Sequence, residues 1–502
     1  MRSDVSLSGK INPLSIFLLI LVMFAALIPA FYNFILTFID YSPIQGLFSS
    51  PSAGLRNYSQ VISQPAFPRL VLNSFVHWLA SLSFALLLGV PVAILISFVK
   101  SRKTAATCAG LLLIPVFVPA SVYFTLVIQL FSSSVFMREQ TYTLAFAAQT
   151  LLPGAALIAF SGVAFGLLYR SRRGNALQGT MLGCGMAALL FMLVTLSPAY
   201  EATLLSANPM VNRVADTFDT FTYRSGLTQM QISHSAASHT LRSLLQMLLA
   251  VMPVFAIILL LRKSDRLISQ TADMAFVGSK EKTPGQVIAW LVSIFLMLVL
   301  LFAKGLPSLS QFPVLAQQFL PSVLISLLSV MVGFAAALVL LYGASGSGRV
   351  LVPLTALIVL GTSNAMIAQY LLFRQLGMAN TVLATPFAQW LQPPVLIILF
   401  LFAIIVQVMK NQTLLIFLAA AAAILVGAHA YGGFIPQMIF TSVPQQYTMG
   451  MLFRQSQTMA DQVINAPEAG TMTLLYMTTL LPCLLLGCGA ALLVRKGLIK
   501  AT

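Results

Sequence analysis

Apolar runs of span length, separated by short polar turns, repeat along nearly the whole chain. A bilayer core takes about 20 helical residues to cross. Runs of that order lie near 13–39, 70–98, 105–131, 142–169, 176–197 and 243–261, and again near 285–303, 318–342, 350–372, 382–408, 412–430 and 472–494. The pattern predicts an all-α polytopic membrane protein of about twelve transmembrane helices. The first run is too long for the apolar stretch of a signal peptide and more spans follow it, so no cleavable leader is expected.

A polar joint interrupts the pattern near Asp265–Gly285 and contains Lys280-Glu281-Lys282-Thr283-Pro284-Gly285, a linker composition. It divides the chain into a first half at 1–264, a cytoplasmic linker at 265–284 and a second half at 285–502. Each half repeats one layout: a span, an outer loop, two spans around a tight inner turn, a small outer connection, two more spans around a tight inner turn, a long outer loop and a last span. The long loops run roughly over 199–242 and 431–471. Two six-helix pseudo-repeats of this kind place a pathway between the halves.

Composition agrees. Of the 502 residues, 59% are hydrophobic and 8% charged, against about 25% charged in soluble domains; a soluble enzyme, a disordered scaffold and a disulfide-rich module are all excluded. The net charge of +16 follows topology rather than nucleic-acid binding, because no basic stretch is interleaved with aromatics in a polar context. With the N-terminus inside, the inner segments hold 18 of the 27 Lys and Arg residues, which places both termini in the cytoplasm. Cys108, Cys184, Cys483 and Cys488 all fall in apolar runs and read as small buried hydrophobes rather than metal or redox groups.

Candidate chemistry is sparse. No acidic residue falls in the middle of a predicted span: Asp40 is at the outer end of the first, and the other ten acids lie in loops or at the N-terminus. Carriers driven by a proton or sodium gradient usually hold ionisable groups at membrane depth, so their absence speaks against that class and against a membrane-embedded hydrolase. No catalytic residue, metal or cofactor is expected, and the chain is read as a non-enzyme. The better candidates are polar side chains within spans, which lipid cannot satisfy: Asn73, His77 and Trp78; Tyr123 and Gln129; Asn364, Gln369 and Tyr370; Gln389 and Trp390. Amides and aromatic rings suit sugar hydroxyls and sugar rings, although each also suits hydrogen bonding between helices. Gly343 to Arg349 lacks the Lys-Ser/Thr of a phosphate loop and follows a membrane helix, so it reads as a tight turn.

Several of these segments, in order, resemble the membrane subunits of binding-protein-dependent ABC importers of the maltose/carbohydrate type. Asn57-Tyr58, Phe67 and Leu72-Asn73-Ser74 resemble the start of that permease core. Gly89 to Ala93 and Ile114 to Pro119 resemble its next segments, and Phe218-Asp219 with Phe221-Thr222-Tyr223, then Ser235-Ala236-Ala237, its outer stretch. In the second half, Leu371 to Thr381, Pro386-Phe387 with Trp390, and Val494 to Lys500 resemble the partner subunit. The likeness covers both halves, as though two subunits were fused. One hallmark departs: the cytoplasmic "EAA" helix that docks an ATPase has no counterpart at Tyr169–Asn175 or Met409–Gln412.

The resemblance implies a permease for a carbohydrate or similar polar solute in the bacterial plasma membrane. Its partners would be a separate ABC ATPase, as a dimer, and an extracytoplasmic solute-binding protein, alongside the lipid bilayer and with no nucleic acid. Binding-protein contact is expected at Phe218, Asp219, Tyr223, Gln446 and Tyr447, in outer loops too long for simple connections, and ATPase contact at Arg170, Arg172, Arg173, Asp265 and Arg266, in the inner segments longer than tight turns. The alternatives are a twelve-span secondary carrier and a non-transport membrane assembly component derived from a permease.

Overall fold

The computed structural model describes residues 12–99, 101–171, 175–197, 200–270, 312–363, 365–409, 411–461 and 469–501. Among them the regular structure is helical, with one isolated antiparallel bridge between Ile39 and Ser52. The principal helices are α1 (Pro13–Leu36), α2 (Phe67–Ser97), α3 (Arg102–Leu112), α4 (Ala120–Phe131), α5 (Glu139–Ser171), α6 (Ala176–Met192), α7 (Tyr200–Ser206), α8 (Phe218–Tyr223) and α9 (Ile232–Gln270). In the second half they are α10 (Phe312–Gly346), α11 (Leu351–Thr362), α12 (Met366–Gln375), α13 (Ala384–Gln389), α14 (Pro393–Met409), α15 (Gln412–Gly432), α16 (Ile435–Phe440), α17 (Met449–Asp461) and α18 (Ala469–Ala501).

The chain is an all-α polytopic membrane protein. Among the described residues seven helices are long and apolar enough to cross a bilayer, or nine if each of two bent pairs counts as one span. The expected spans at 176–197 and 382–408 appear as the shorter apolar helices α6 and α14. The expected span at 285–303 and most of the linker lie outside the described residues. Polar side chains set where helices begin on the expected inner side. Asn12, Asn175 and Asn411 each accept a backbone N–H of the first turn of α1, α6 and α15, at 2.9–3.2 Å.

Two expected spans are broken. The third bends by 84° between a short 3-10 turn (Ile114–Phe117) and α4, and the ninth by 82° between α11 and α12. At the first break Val118 is extended and is followed by Pro119, which disfavours helical backbone at the preceding residue and has no N–H to continue the ladder. At the second, Ser363 is extended. The expected long outer loops are largely helical too. The last span of the first half begins at Ile232, well before the expected 243, because Ile232, Ala236 and Ala237 are buried against neighbouring helices.

The halves interlock. α18 packs on α3 and the 3-10 turn, α9 on α11, and α1 on α10 and α11. At the centre stands α14, whose residues Val395 to Val406 are all at most 3% exposed. It is surrounded by α5, α6, α10, α11 and α15. A helix apolar on every side is stable only when buried. The outer helices instead turn large apolar side chains outward, such as Phe17, Phe24 and Phe31 on α1 and Met252 and Phe255 on α9; these form a lipid-facing surface.

Small residues allow the closest approaches. A Cβ on Gly110 of α3 would lie 2.4 Å from the carbonyl oxygen of Ala491 on α18, whereas one on Gly489 would meet nothing within 4 Å. Gly110→Ala should therefore lower thermal stability in detergent, by about 1–3 kcal/mol for an overpacked contact. Gly489→Ala should leave it unchanged or slightly raise it. Equal melting of the two variants would contradict the assigned contact between the halves.

Candidate functional site

Several polar residues of the first half fasten one element to another by hydrogen bonds. The Asn57 amide donates to the carbonyls of Thr37 (2.9 Å) and Ile39 (3.1 Å) at the end of α1. Asn73 on α2 donates to the carbonyls of Arg213 (3.0 Å) and Asp216 (2.9 Å), and Ser74 accepts the N–H of Phe218 at 3.2 Å. Thr217 caps α8, and Ser235 on α9 closes the group by donating to the Thr222 carbonyl at 2.8 Å.

A buried ion pair ties these elements to the second half. Arg242 and Asp219 are both buried, with Nη1 3.1 Å from Oδ1, and Ser197 donates to the other carboxylate oxygen at 3.0 Å. Arg242 Nη2 also reaches the Ser363 carbonyl at 2.6 Å and His239 Nε2 at 3.0 Å. His239 Nε2 also lies 3.3 Å from the same Ser363 carbonyl, so ring, guanidinium and carbonyl meet at one point. Gln246, one turn further along α9, donates to the carbonyls of Leu193 and Leu360. Leu360 and Ser363 are at the carboxyl end of α11, where a cation is also favoured by the helix dipole. The first break is closed in the reverse direction: His429 on α15 bonds the Val116 carbonyl at 3.1 Å, and Tyr123 donates to that of Pro115 at 2.6 Å.

Two cavities flank α7, each walled by both halves of the chain. The outer one, about 410 Å³, is lined by residues that include Asn208, Asn212, Tyr223, Phe434, Met438 and Arg454. Within it Arg224 pairs with Asp216 at 2.8 Å, and Arg454 lies 5.8 Å from the Phe434 ring centroid. The inner one, about 90 Å³, lies at the first break; its polar lining includes Tyr123, Gln149, Glu201, Gln389, Gln392 and His429.

Glu201 contributes the only formal charge in the lining of the inner cavity. Its Oε1 accepts the N–H of Phe434 at 3.3 Å, just before α16. Removal from bulk water pushes its carboxyl up to about 7, against the smaller opposing pull of the Phe434 and Ile435 N–H groups. By sequence this acid belongs to an outer loop. The fold turns that loop into α7 and leaves Glu201 half-buried beside the inner cavity, outside the membrane-crossing helices.

The expected pathway residues divide. Tyr123 and Gln389 line the inner cavity. Asn73 and Trp78 are structural: the Trp78 indole N–H donates to the Phe191 carbonyl at 3.1 Å. His77 stacks on Phe146 with ring centroids 4.8 Å apart. Gln129 is exposed, Gln369 is buried, and Tyr370 and Trp390 are half-buried; none of these lines either cavity. Asn364 lies outside the described residues. Of the expected binding-protein contacts, Phe218 and Asp219 face inward, Tyr223 lines the outer cavity, and Gln446 and Tyr447 are half-buried. Arg170 donates to the carbonyls of Ser97 (3.3 Å) and Val99 (2.5 Å), closing the end of α2. Arg172 and Arg173 lie outside the described residues, and Asp265 and Arg266 continue the helix of α9. Gln149, Glu201 and His429 were not among the expected pathway residues. For Glu201 a signal existed: an acid within Tyr200-Glu201-Ala202-Thr203-Leu204-Leu205, a mostly apolar stretch too short to span.

No protein-family model and no curated protein matches the chain. Among solved structures, one similar chain comes from the crystal structure of a bacterial alginate ABC transporter in complex with an alginate pentasaccharide-bound periplasmic protein. It is 15% identical, with 40% of this chain and 82% of that chain covered, at a TM-score of 0.36. Another comes from a bacterial ABC transporter involved in the import of the acidic polysaccharide alginate, with 16% identity, coverage of 42% and 85%, and a TM-score of 0.36.

Two outcomes follow from these acids. Asp219→Ala leaves Arg242 buried without its carboxylate and should cost about 3–5 kcal/mol. Asp40→Ala removes only the exposed pair with Arg56 and should cost at most about 1 kcal/mol. Thermal unfolding of the two variants in one detergent gives the comparison. For Glu201 the folded carboxyl titrates above its ordinary 4.5, near 7. Below pH 4.5 it is protonated in folded and unfolded chains alike. Stability is then lost as pH rises through that window, because only the unfolded chain ionises freely. Glu201→Gln should remove this component and raise stability relative to the parent at pH 8. An unchanged pH profile would show that Glu201 is solvated.

Proposed function

We propose that the chain is the membrane permease of an ABC-type importer, forming the translocation pathway for a carbohydrate or similar polar solute. A separate ATPase dimer would energise it, and an extracytoplasmic binding protein would feed it. It would reside in the bacterial plasma membrane with both termini in the cytoplasm. The observation that carries this reading is the pair of cavities on successive turns of α7, each walled by both halves. A route between two halves, beside a broken helix that frees polar backbone, is what passage of a polar solute requires. The ordered family resemblance supports it.

A solute-binding protein would meet the outer face, where Tyr223 and the segment with Gln446 and Tyr447 remain partly accessible. The ATPase would meet the inner face near Arg172, Arg173 and the linker with Asp265 and Arg266. Arg170 is already engaged with α2 and contributes to that face mainly by holding the end of α2 in place.

One observation favours a second reading. A secondary carrier needs a protonatable group on its pathway, and Glu201 is one. The two readings part over the energy source. In intact cells with ATP held constant, a protonophore should leave uptake unchanged for the importer. Immediate collapse of uptake at constant ATP would replace the importer reading by the carrier.

A further inference from the structure

The inner cavity has an unbalanced set of hydrogen-bonding groups. Gln149 and Gln389 line it and are only 2% and 1% exposed, yet neither amide atom of Gln149 nor Oε1 of Gln389 has a hydrogen-bond partner. A buried polar atom left unmatched costs about 1–3 kcal/mol. Three such atoms bordering one cavity therefore mark a place where a partner is to be received. Two donors of the wall are already engaged: the Tyr123 hydroxyl on Pro115 and the His429 ring nitrogen on Val116. What remains open is the Gln149 amide N–H2 and, as acceptors, two amide oxygens and the Glu201 carboxylate, which the backbone N–H groups of Phe434 (3.3 Å) and Ile435 approach from one side.

Charge points the same way. No Lys or Arg lines the cavity. Above pH 7, where Glu201 is ionised, an anion entering it would face a carboxylate with no cation beside it in a medium of low dielectric, where like charges repel far more strongly than in water. Beside the polar Thr150 and Gln392, the remainder of the wall includes Val116, Val118, Pro153 and Pro394 and two tyrosine rings, Tyr123 and Tyr200. Such surfaces pack against the C–H faces of a saturated ring.

We infer that the inner cavity is a binding site for a neutral or cationic group rich in hydrogen-bond donors, a hydroxylated or amino-bearing ring, received by Glu201 with the Gln149 and Gln389 amides, and that it rejects anions. This deepens the permease reading and rests on it for the ligand's being cargo. The selection by charge is a property of the cavity alone and is tested alone.

The test uses the full-length chain in lipid nanodiscs carrying Gln149→Cys or, separately, Gln389→Cys. The parent, with its four native cysteines, supplies the background. Two methanethiosulfonate probes of similar size are compared, one ending in an ammonium and one in a sulfonate, each rate divided by that probe's rate with a free thiol. The ammonium probe should react about tenfold faster or more, a modest ratio for one facing carboxylate. Adding Glu201→Gln should bring the ratio close to one. A sulfonate rate equal to or above the ammonium rate would overturn the inference. So would an ammonium preference that survives Glu201→Gln, or failure of both probes at both cysteines while size-exclusion profiles match the parent. None of these outcomes touches the importer reading, which stands or falls with uptake at constant ATP.

Discussion

A helix broken within a membrane span exposes carbonyls where no bulk water can receive them, and this chain breaks two of its spans. Each break is closed mainly from the other half. His429 of the second half holds Val116 at the first break; Arg242 and Gln246 of the first half hold Ser363 and Leu360 at the second. The exchange makes the halves interdependent, because neither can satisfy its own interrupted helix alone. It also explains why polar groups lie deep in a chain of such high apolar content. They are the means by which bent spans, and the cavity that bending creates, are tolerated.

The apolar packing supplies what the polar closures cannot. α14 is enclosed on all sides and carries no specificity of its own, as its side chains from Val395 to Val406 are all aliphatic or aromatic. Among the described residues its polar ties are few, with Gln407 donating to the Ser347 carbonyl at 3.4 Å near its end. Removal of a buried hydrogen-bonded partner is therefore more damaging here than truncation of one lipid-facing side chain, which has an apolar alternative in the bilayer itself.

The helices were legible from apolar run length because a span must match the thickness it crosses. The bend at Pro119 was not expected, because the apolar run continues through it unbroken. The second break had no proline to mark it and follows from tertiary contacts. The pathway was less legible. Asn73 and Trp78 have the right chemistry for a solute, but each finds a backbone carbonyl in the fold, and sequence cannot say which polar group will be matched by protein. Glu201 escaped for the converse reason. Hydropathy assigns a short acidic segment between spans to a loop, whereas packing against α4, α5 and α8 draws that segment inward as α7. The family-like motifs were real structural signals whose role is architectural: Asn57, Asn73 and Asp219 each fasten one element to another.

Two carboxylates near the cavities, the buried Asp219 and the half-buried Glu201, show how environment divides like groups. Asp219 has a guanidinium and a serine hydroxyl against it and lines neither cavity. Any change in its charge must disturb Arg242 and, through it, the closure at Ser363. Glu201 has the backbone N–H groups of Phe434 and Ile435 on one side and the inner cavity on the other. It can gain a proton or a ligand's donor while the helices around it stay paired. Burial with compensation fixes a charge as structure; burial with a vacancy beside it leaves the charge free to act. Residue type and spacing are the same kind of information for both acids, so only the fold could separate them: it pairs Asp219 with Arg242 and sets Glu201 against the inner cavity.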